Sequence, residues 1–373
     1  MTNWNADFDS GMPMIVDIAM YGGPRAGKTS LLASMYSSVL GETRRAGLDI
    51  RRSNPDTIRQ LDEAEDSLAS LASQVANDPT LSSGEGVAST QSGEARRFDF
   101  IVQGSGVDVA ALRFYDFAGE DIANMSKVVR DGVHTADILL VAINTPPMME
   151  AHKNPDLSQL HLRMNVPDQL SELLNDWSGP APSLVMLCPI KCERWLHDPE
   201  LTGELNNAVH EMYRATLSIL SRDAFADTTV VLAPVETVGA VSYDGYQLYD
   251  PSAPPSHRNI VMRWRSEKSA FWAPRFHEQP FRWAIFQVAR GVDYAHVAQG
   301  EGGGAFQKLI AKFGHKWANE WGLPKIRVIE DFWLDQSGVE TFRVAAHHLA
   351  AGRKLDEPYQ LIKPGRLTEP LQR

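Results

Sequence analysis

Met14-Ile15-Val16-Asp17-Ile18-Ala19-Met20-Tyr21-Gly22-Gly23-Pro24-Arg25-Ala26-Gly27-Lys28-Thr29-Ser30 is the stretch that decides the fold. An apolar run leads into a glycine-rich turn, the turn ends in Gly-Lys-Thr, and Leu31-Leu32-Ala33-Ser34-Met35-Tyr36 reads as helix. Gly22 to Thr29 fits G-x-x-x-x-G-K-[ST] in the strand–loop–helix setting that this pattern needs. The residue types follow from the task of holding a polyphosphate. Gly22-Gly23-Pro24-Arg25-Ala26-Gly27 wraps the phosphates with backbone, and glycine permits the close approach. Lys28 reaches the outer phosphates, Thr29 offers a hydroxyl to Mg2+, and Ser30 lies in the first helical turn, whose dipole favours an anion. Arg25 reads as a solvent-facing loop residue, with a built-in positive charge near the phosphates as the competing reading.

The rest of the chain constrains what surrounds this loop. At 373 residues it is long enough for about two domains, or one large domain with insertions. A hydrophobic fraction of 43% and a charged fraction of 22% are those of a soluble globular protein. The net charge of −11 argues against nucleic acid or an anionic membrane as principal partner. Cys188 and Cys192 are the only cysteines, which points to a reducing compartment, and no Cys/His cluster completes a zinc site around them. Met1 to Gly11 lacks the features of a signal peptide and no run is long enough to span a membrane, so the expected location is cytoplasmic.

Taken in order, residues 1–13 read as an arm, 14–21 as a strand and 28–40 as a helix ending at Gly41. Residues 42–53 are charged and irregular, and 55–76 form an amphipathic helix with Ile58, Leu61, Leu68, Leu71 and Val75 on one face. Residues 78–97 are rich in Gly, Ser and Thr and suit a mobile loop. Arg97–Val102 and Val109–Tyr115, joined through Gly104-Ser105-Gly106, predict an antiparallel hairpin. Its second strand ends in Tyr115-Asp116-Phe117-Ala118-Gly119-Glu120. An acidic residue at a strand tip is where a P-loop protein holds Mg2+ through water, and Gly119 lets a backbone N–H approach the terminal phosphate. Helix over 121–135, a buried strand at Asp137–Ile143, helix over 157–177, strand at Ser183–Cys188, helix over 200–222 and strand at Thr229–Pro234 give the alternation of a doubly wound sheet. Residues 243–276 read as an insertion with short strands near 260–265. Helices over 278–297, 305–321 and 337–351 and a strand at 325–329 follow, and the last 20 residues read as a tail or docking arm. His347-His348 and the aromatics from Trp264 to Trp283 carry no ligand pattern.

The order of P-loop, Ser/Thr-rich loop, hairpin, D-x-x-G and buried strands ending in Pro189-Ile190-Lys191-Cys192-Glu193 and Pro234-Val235-Glu236-Thr237-Val238-Gly239 resembles the TRAFAC-clade GTPases. Within that class it looks most like the prokaryotic double-GTPase families of bacterial conflict or stress operons, over roughly residues 14–298. The resemblance implies an α/β, three-layer P-loop NTPase (Ras-like) fold. Its sheet would be mostly parallel with one antiparallel strand, with a helical insertion near 42–78, a second insertion near 243–276 and a helical C-terminal extension over 299–373. It implies GTP/GDP and Mg2+ as cofactors, with Thr29, Asp116 and a loop threonine, Thr90 ahead of Thr80, at the metal. Guanine would be read by Lys191 and Glu193 with Val235 beside the base, although Ile190 and Glu193 replace the family's Asn/Thr and Asp. Lys28, Thr90 and Glu120 would carry hydrolysis, and a glutamate in place of the family's glutamine implies slow turnover. The expected role is a switch acting on a protein partner or a second GTPase, with a nucleotide-dependent homodimer as one arrangement. A P-loop ATPase and a non-hydrolysing nucleotide-binding scaffold remain as alternatives.

Overall fold

The computed structural model describes residues 14–45, 48–77, 93, 95–104, 107–248, 260–266, 272–281, 283–284, 358 and 360–363. The arm 1–13, Thr80, Thr90, the helices expected at 305–321 and 337–351 and the strand expected at 325–329 lie outside the described residues.

The sheet is built from β1 (Met14–Tyr21), β2 (Leu48–Arg52), β3 (Arg96–Gly104), β4 (Val107–Asp116), β5 (Ile138–Asn144), β6 (Leu184–Ile190), β7 (Thr229–Leu232) and β10 (Gln360–Lys363). Strands β8 (Val241–Leu248) and β9 (Ile260–Ser266) pair as a separate antiparallel ribbon. The main sheet runs in the order β10-β7-β6-β5-β1-β4-β3-β2. Pairing is parallel from β7 through β6, β5 and β1 to β4 and antiparallel at β4–β3, β3–β2 and β7–β10. The chain is therefore an α/β protein with a mixed, mostly parallel sheet. Every residue of β5, β6 and β7 is buried, as expected of parallel strands with apolar cover on both faces.

Alternate residues of each strand point to opposite layers. One layer packs Ile138, Leu140 and Ala142 against α1 (Lys28–Arg45), α2 (Pro55–Asn77), Phe281 and Trp283. The other packs Leu139, Val141 and Ile143 against α3 (Gly119–Ala123), α4 (Lys127–His134), α5 (Thr145–Lys153), α7 (Pro167–Asn175) and α9 (Pro199–Met212). In the chain, α6 (Ser158–Asn165) and α8 (Glu193–Leu196) fall between these helices and α10 (Arg214–Leu220) follows α9.

Several boundaries differ from the sequence reading. Helix α1 continues through Gly41 to Arg45. The stretch read as irregular supplies β2, in which Ile50 pairs with Val102 and is buried. The helix expected over 121–135 is two helices, because Met125 adopts φ 52° and Ser126 restarts the helix by accepting from Val129 N–H. The helix expected over 157–177 breaks at Val166, with φ 46° and ψ 49°, ahead of Pro167, which opens α7. Residues 144–147 cap and start α5 as well as ending β5. Two strands, β3 and β10, run against the parallel set where one was expected. Strand β10 comes from the stretch assigned to a helical extension and belongs to the main sheet. Lys363 Nζ anchors it by donating to Leu220 O at 2.7 Å and Phe225 O at 2.5 Å.

Candidate functional site

The glycine-rich loop crosses from β1 to α1 at the C-terminal end of the parallel strands, where open α/β sheets carry their ligand crevice. Ala26 N–H donates to Gly23 O at 3.1 Å and Leu31 N–H to Gly27 O at 2.9 Å, closing the loop onto the helix. Gly27 has φ +106°, a conformation that a residue with a Cβ rarely adopts. Gly22 and Gly23 are buried, and Arg25 is exposed.

Lys28, Thr29 and Asp116 converge at the mouth of this loop. Lys28 Nζ donates to Gly22 O at 3.1 Å and lies 3.8 Å from Asp116 Oδ1. Thr29 Oγ1 donates to Asp116 Oδ2 at 2.5 Å. All three side chains are buried. Burial lowers the Lys28 pKa from its ordinary value, while the Asp116 charge pulls it back up. The arrangement gathers a cation, a hydroxyl and a carboxylate within one hydrogen-bonded set. Thr29 and Asp116 offer only oxygen, the donor type that Mg2+ prefers.

Beyond Asp116 the chain folds back over the loop. A Cβ at Gly119 would lie 2.4 Å from Pro24 Cα and 2.5 Å from Pro24 N, so only glycine permits this approach. Glu120 is exposed at the start of α3. The next residue, Asp121, is buried, and its Oδ2 accepts from Gly93 N–H at 2.7 Å. That contact ties the residues entering β3 to the D-x-x-G segment.

The side expected to read the base is arranged differently from a simple acceptor facing solvent. Lys191 is half-buried, adopts φ 57°, and donates from Nζ to Arg25 O at 3.0 Å. Arg25 itself has φ 56°, so two non-glycine residues in a costly backbone conformation meet at this contact. Burial lowers the Lys191 pKa to about 8, against the opposing effect of Glu193. Glu193 is turned inward, with 1% of its surface exposed. Its Oε1 accepts from Val238 N–H at 3.0 Å and Gly239 N–H at 3.4 Å, which braces the loop after β7. Burial raises its pKa. Val235 is fully buried, and its N–H donates to Pro189 O at 2.8 Å. Ile190 fills space against the loop: a Cβ on Gly27 would lie 2.9 Å from Ile190 Cδ1. The structure thus brings Lys191 to the glycine-rich loop and leaves Glu193 and Val235 engaged in the protein interior.

Three features of the site escaped the sequence reading. Asn165 clamps the end of β5, accepting from Asn144 N–H at 2.7 Å and donating to Asn144 O at 3.0 Å. His161 Nδ1 lies 3.1 Å from Asn165 Nδ2, and burial holds the His161 pKa down at about 4. This clamp presses α6 on the loop from behind, since a Cβ at Gly23 would lie 2.2 Å from Met164 O. The second feature is the Asp121–Gly93 contact. The third is Glu236, fully buried beside Glu193, 3.8 Å from Arg275 Nη1 and with its pKa raised to about 8 by burial and by Glu193. Pro167 signalled the break behind the clamp; Glu236 lies in the Pro234–Gly239 stretch that carried the resemblance, but nothing in that stretch marked it as a buried carboxyl beside Glu193.

No family model matches the chain, and no curated protein matches it by sequence. Among the solved structures similar to it is the GTPase-like domain of S. cerevisiae Ski7 bound to GTP. It is 14% identical, with a TM-score of 0.33, over 61% of this chain and 44% of that one. The chain thus spans less than half the length of that structure. The fold assignment rests on the strand order and register given above. No helix among the described residues is long and apolar enough to cross a membrane.

Proposed function

We propose that this protein binds a Mg2+–nucleoside triphosphate at the Gly22–Thr29 loop, prefers GTP, hydrolyses it slowly and thereby acts as a switch for a partner protein. The observation that carries the reading is the convergence of Lys28, Thr29 and Asp116 at the mouth of a glycine loop opening an 18-residue helix. Lys28 would neutralise the outer phosphates, and the helix N-terminus would add its dipole. Thr29 and Asp116 would hold Mg2+, which when bound neutralises charge on the phosphates. Gly119, packed on Pro24, would bring a backbone N–H to the terminal phosphate. Glu120, exposed beside it, is the side chain available to orient water, and its negative charge favours slow turnover.

For the base, Lys191 supports the guanine reading by bridging β6 to the phosphate loop. A second reading, a triphosphate-binding protein that does not select guanine, is favoured by the inward turn of Glu193 onto Val238 and Gly239. Titration of the full chain with a fluorescent GTP analogue and Mg2+ tests both, with unlabelled GTP and ATP as competitors. Preferential displacement by GTP supports guanine selection, and equal displacement supports the second reading. Lys28→Ala is expected to weaken binding by about 10- to 100-fold, since charge-assisted hydrogen bonds are worth roughly 1.5–3 kcal/mol. Unchanged affinity in that variant would refute the phosphate-loop assignment.

A further inference from the structure

A continuous line of close contacts leads away from the phosphate loop and ends on the inserted helix α2. It begins where Gly119 packs on Pro24, an approach that leaves no room for a Cβ. Two residues on, buried Asp121 accepts from Gly93 N–H at 2.7 Å. Gly93 has φ +95°, with nothing within 4 Å of where a Cβ would stand, so glycine is required there by conformation and not by crowding. Strand β3 begins three residues later, with Arg96 paired to Asp116 itself. Further along β3, Asp99 meets α2 at three points. Its Oδ2 accepts from Asn54 Nδ2 at 2.7 Å, its N–H donates to Thr57 Oγ1 at 3.0 Å, and its carbonyl accepts from Ser53 N–H at 3.0 Å. Asn54 caps α2 by accepting from Thr57 N–H at 2.7 Å, and Thr57 is fully buried.

The hydrogen bonds made by Asp121 and by Asp99 to Asn54 and Thr57 are part-buried, and the line joins the segment that follows Asp116 to β3 and to the helix inserted ahead of it. We propose that Asp121 is the joint that passes the state of the phosphate loop to β3 and, through Asp99, to the N-terminus of α2. Asp121 is thus a positioning residue: it acts on Gly93 and does not touch the nucleotide. A displacement of Gly119 by a terminal phosphate moves α3, and Asp121 moves Gly93 with it. The inference rests on the nucleotide-binding reading above.

Hydrogen–deuterium exchange on the full chain with Mg2+ tests it, comparing no nucleotide, GDP and a non-hydrolysable GTP analogue, with the ATP analogue in parallel. In the wild type, nucleotide should slow exchange at residues 22–31, and the triphosphate analogue should differ from GDP at residues 93–100 and 53–60. Asp121→Ala should keep the first effect and lose the second. Asp121→Asn retains an acceptor for Gly93 N–H and should keep both. Asn54→Ala, further along the line, removes one of the three contacts at Asp99 and should keep the difference at 93–100 while shrinking it at 53–60. A nucleotide-dependent difference that persists at 53–60 in Asp121→Ala overturns the proposal, as does a wild type that responds only at 22–31. A wild type with no response at 22–31 to any nucleotide overturns the binding reading and this inference with it.

Discussion

Replacing Glu236 by glutamine should change how stability depends on pH. Glu236 is fully buried next to Glu193, with the partly exposed Arg275 guanidinium 3.8 Å away. Burial and the Glu193 charge push its pKa from 4.5 to about 8, and Arg275 only partly offsets them. A carboxyl whose folded pKa is raised keeps a proton that the unfolded chain has already released. Between about pH 4.5 and about pH 8 the folded state therefore holds more protons, and stability falls as pH rises. One proton corresponds to a slope of about 1.4 kcal/mol per pH unit. Over the whole window the loss would approach ~5 kcal/mol if Glu236 titrated alone. Glu193 reduces this, because it shares the field and ionises more readily once Glu236 carries no charge. Glu236→Gln should remove that slope, so that the stability difference between variant and wild type grows in the variant's favour by about 1–3 kcal/mol from about pH 5 to about pH 8. Asp137, whose pKa burial raises to about 6, gives a slope of the same sign below about pH 6 and cancels in the comparison. Urea unfolding of both proteins at each pH, with midpoints and slopes fitted together, is the measurement. Parallel stability curves across the window would refute the reasoning, and a uniform offset would mean that only a packing contact had changed.

Two further substitutions probe other parts of the architecture. Gly119→Ala places a methyl group 2.4 Å from Pro24 Cα, so the D-x-x-G segment must withdraw from the loop. It should weaken binding of a triphosphate analogue by about tenfold, roughly 1.4 kcal/mol, and affect the diphosphate less; an equal loss for both would place the damage in the phosphate loop as a whole. Lys363→Met removes the donor shared by Leu220 O and Phe225 O, and should lower stability by about 1–3 kcal/mol in urea unfolding. Unchanged stability would mean that β10 contributes little to the fold.

The glycine-rich turn between β1 and α1 was legible because the pattern G-x-x-x-x-G-K-[ST] fixes residue types at fixed spacing, and Gly22 to Thr29 obeys that spacing. Strand β5 was legible for a different reason: a strand covered on both faces needs an uninterrupted apolar run, and Ile138–Ile143 is one. The hairpin of β3 and β4 followed from the short glycine turn. Strand β2 was hidden because Leu48 and Ile50 alternate over too few positions among charged neighbours. The break at Met125 has no sequence signal, since methionine is an ordinary helix former and its left-handed conformation is set by tertiary context. The orientation of Glu193 was equally hidden. It depends on the backbone N–H groups of Val238 and Gly239, which come close only when the loop after β7 folds against β6.

Strand β10 has a kinetic consequence. Lys363 meets Leu220 O across 143 positions of chain. Closing so long a loop adds little to the equilibrium cost, because each doubling of length costs only about 0.6 kcal/mol. It does slow assembly, since distant pairings form after local ones. Strands β5, β6 and β7, each linked to the next through intervening helices, can be complete before β10 arrives. The edge of β7 is then the last part of the sheet to be sealed. With four residues on the sheet edge and a half-buried surface, β10 has the features of a strand that opens at low cost in the folded protein. Each such opening uncovers a row of unpaired β7 backbone groups, a template for pairing with another chain. Lys363, with its two carbonyl acceptors, limits how often that template is presented.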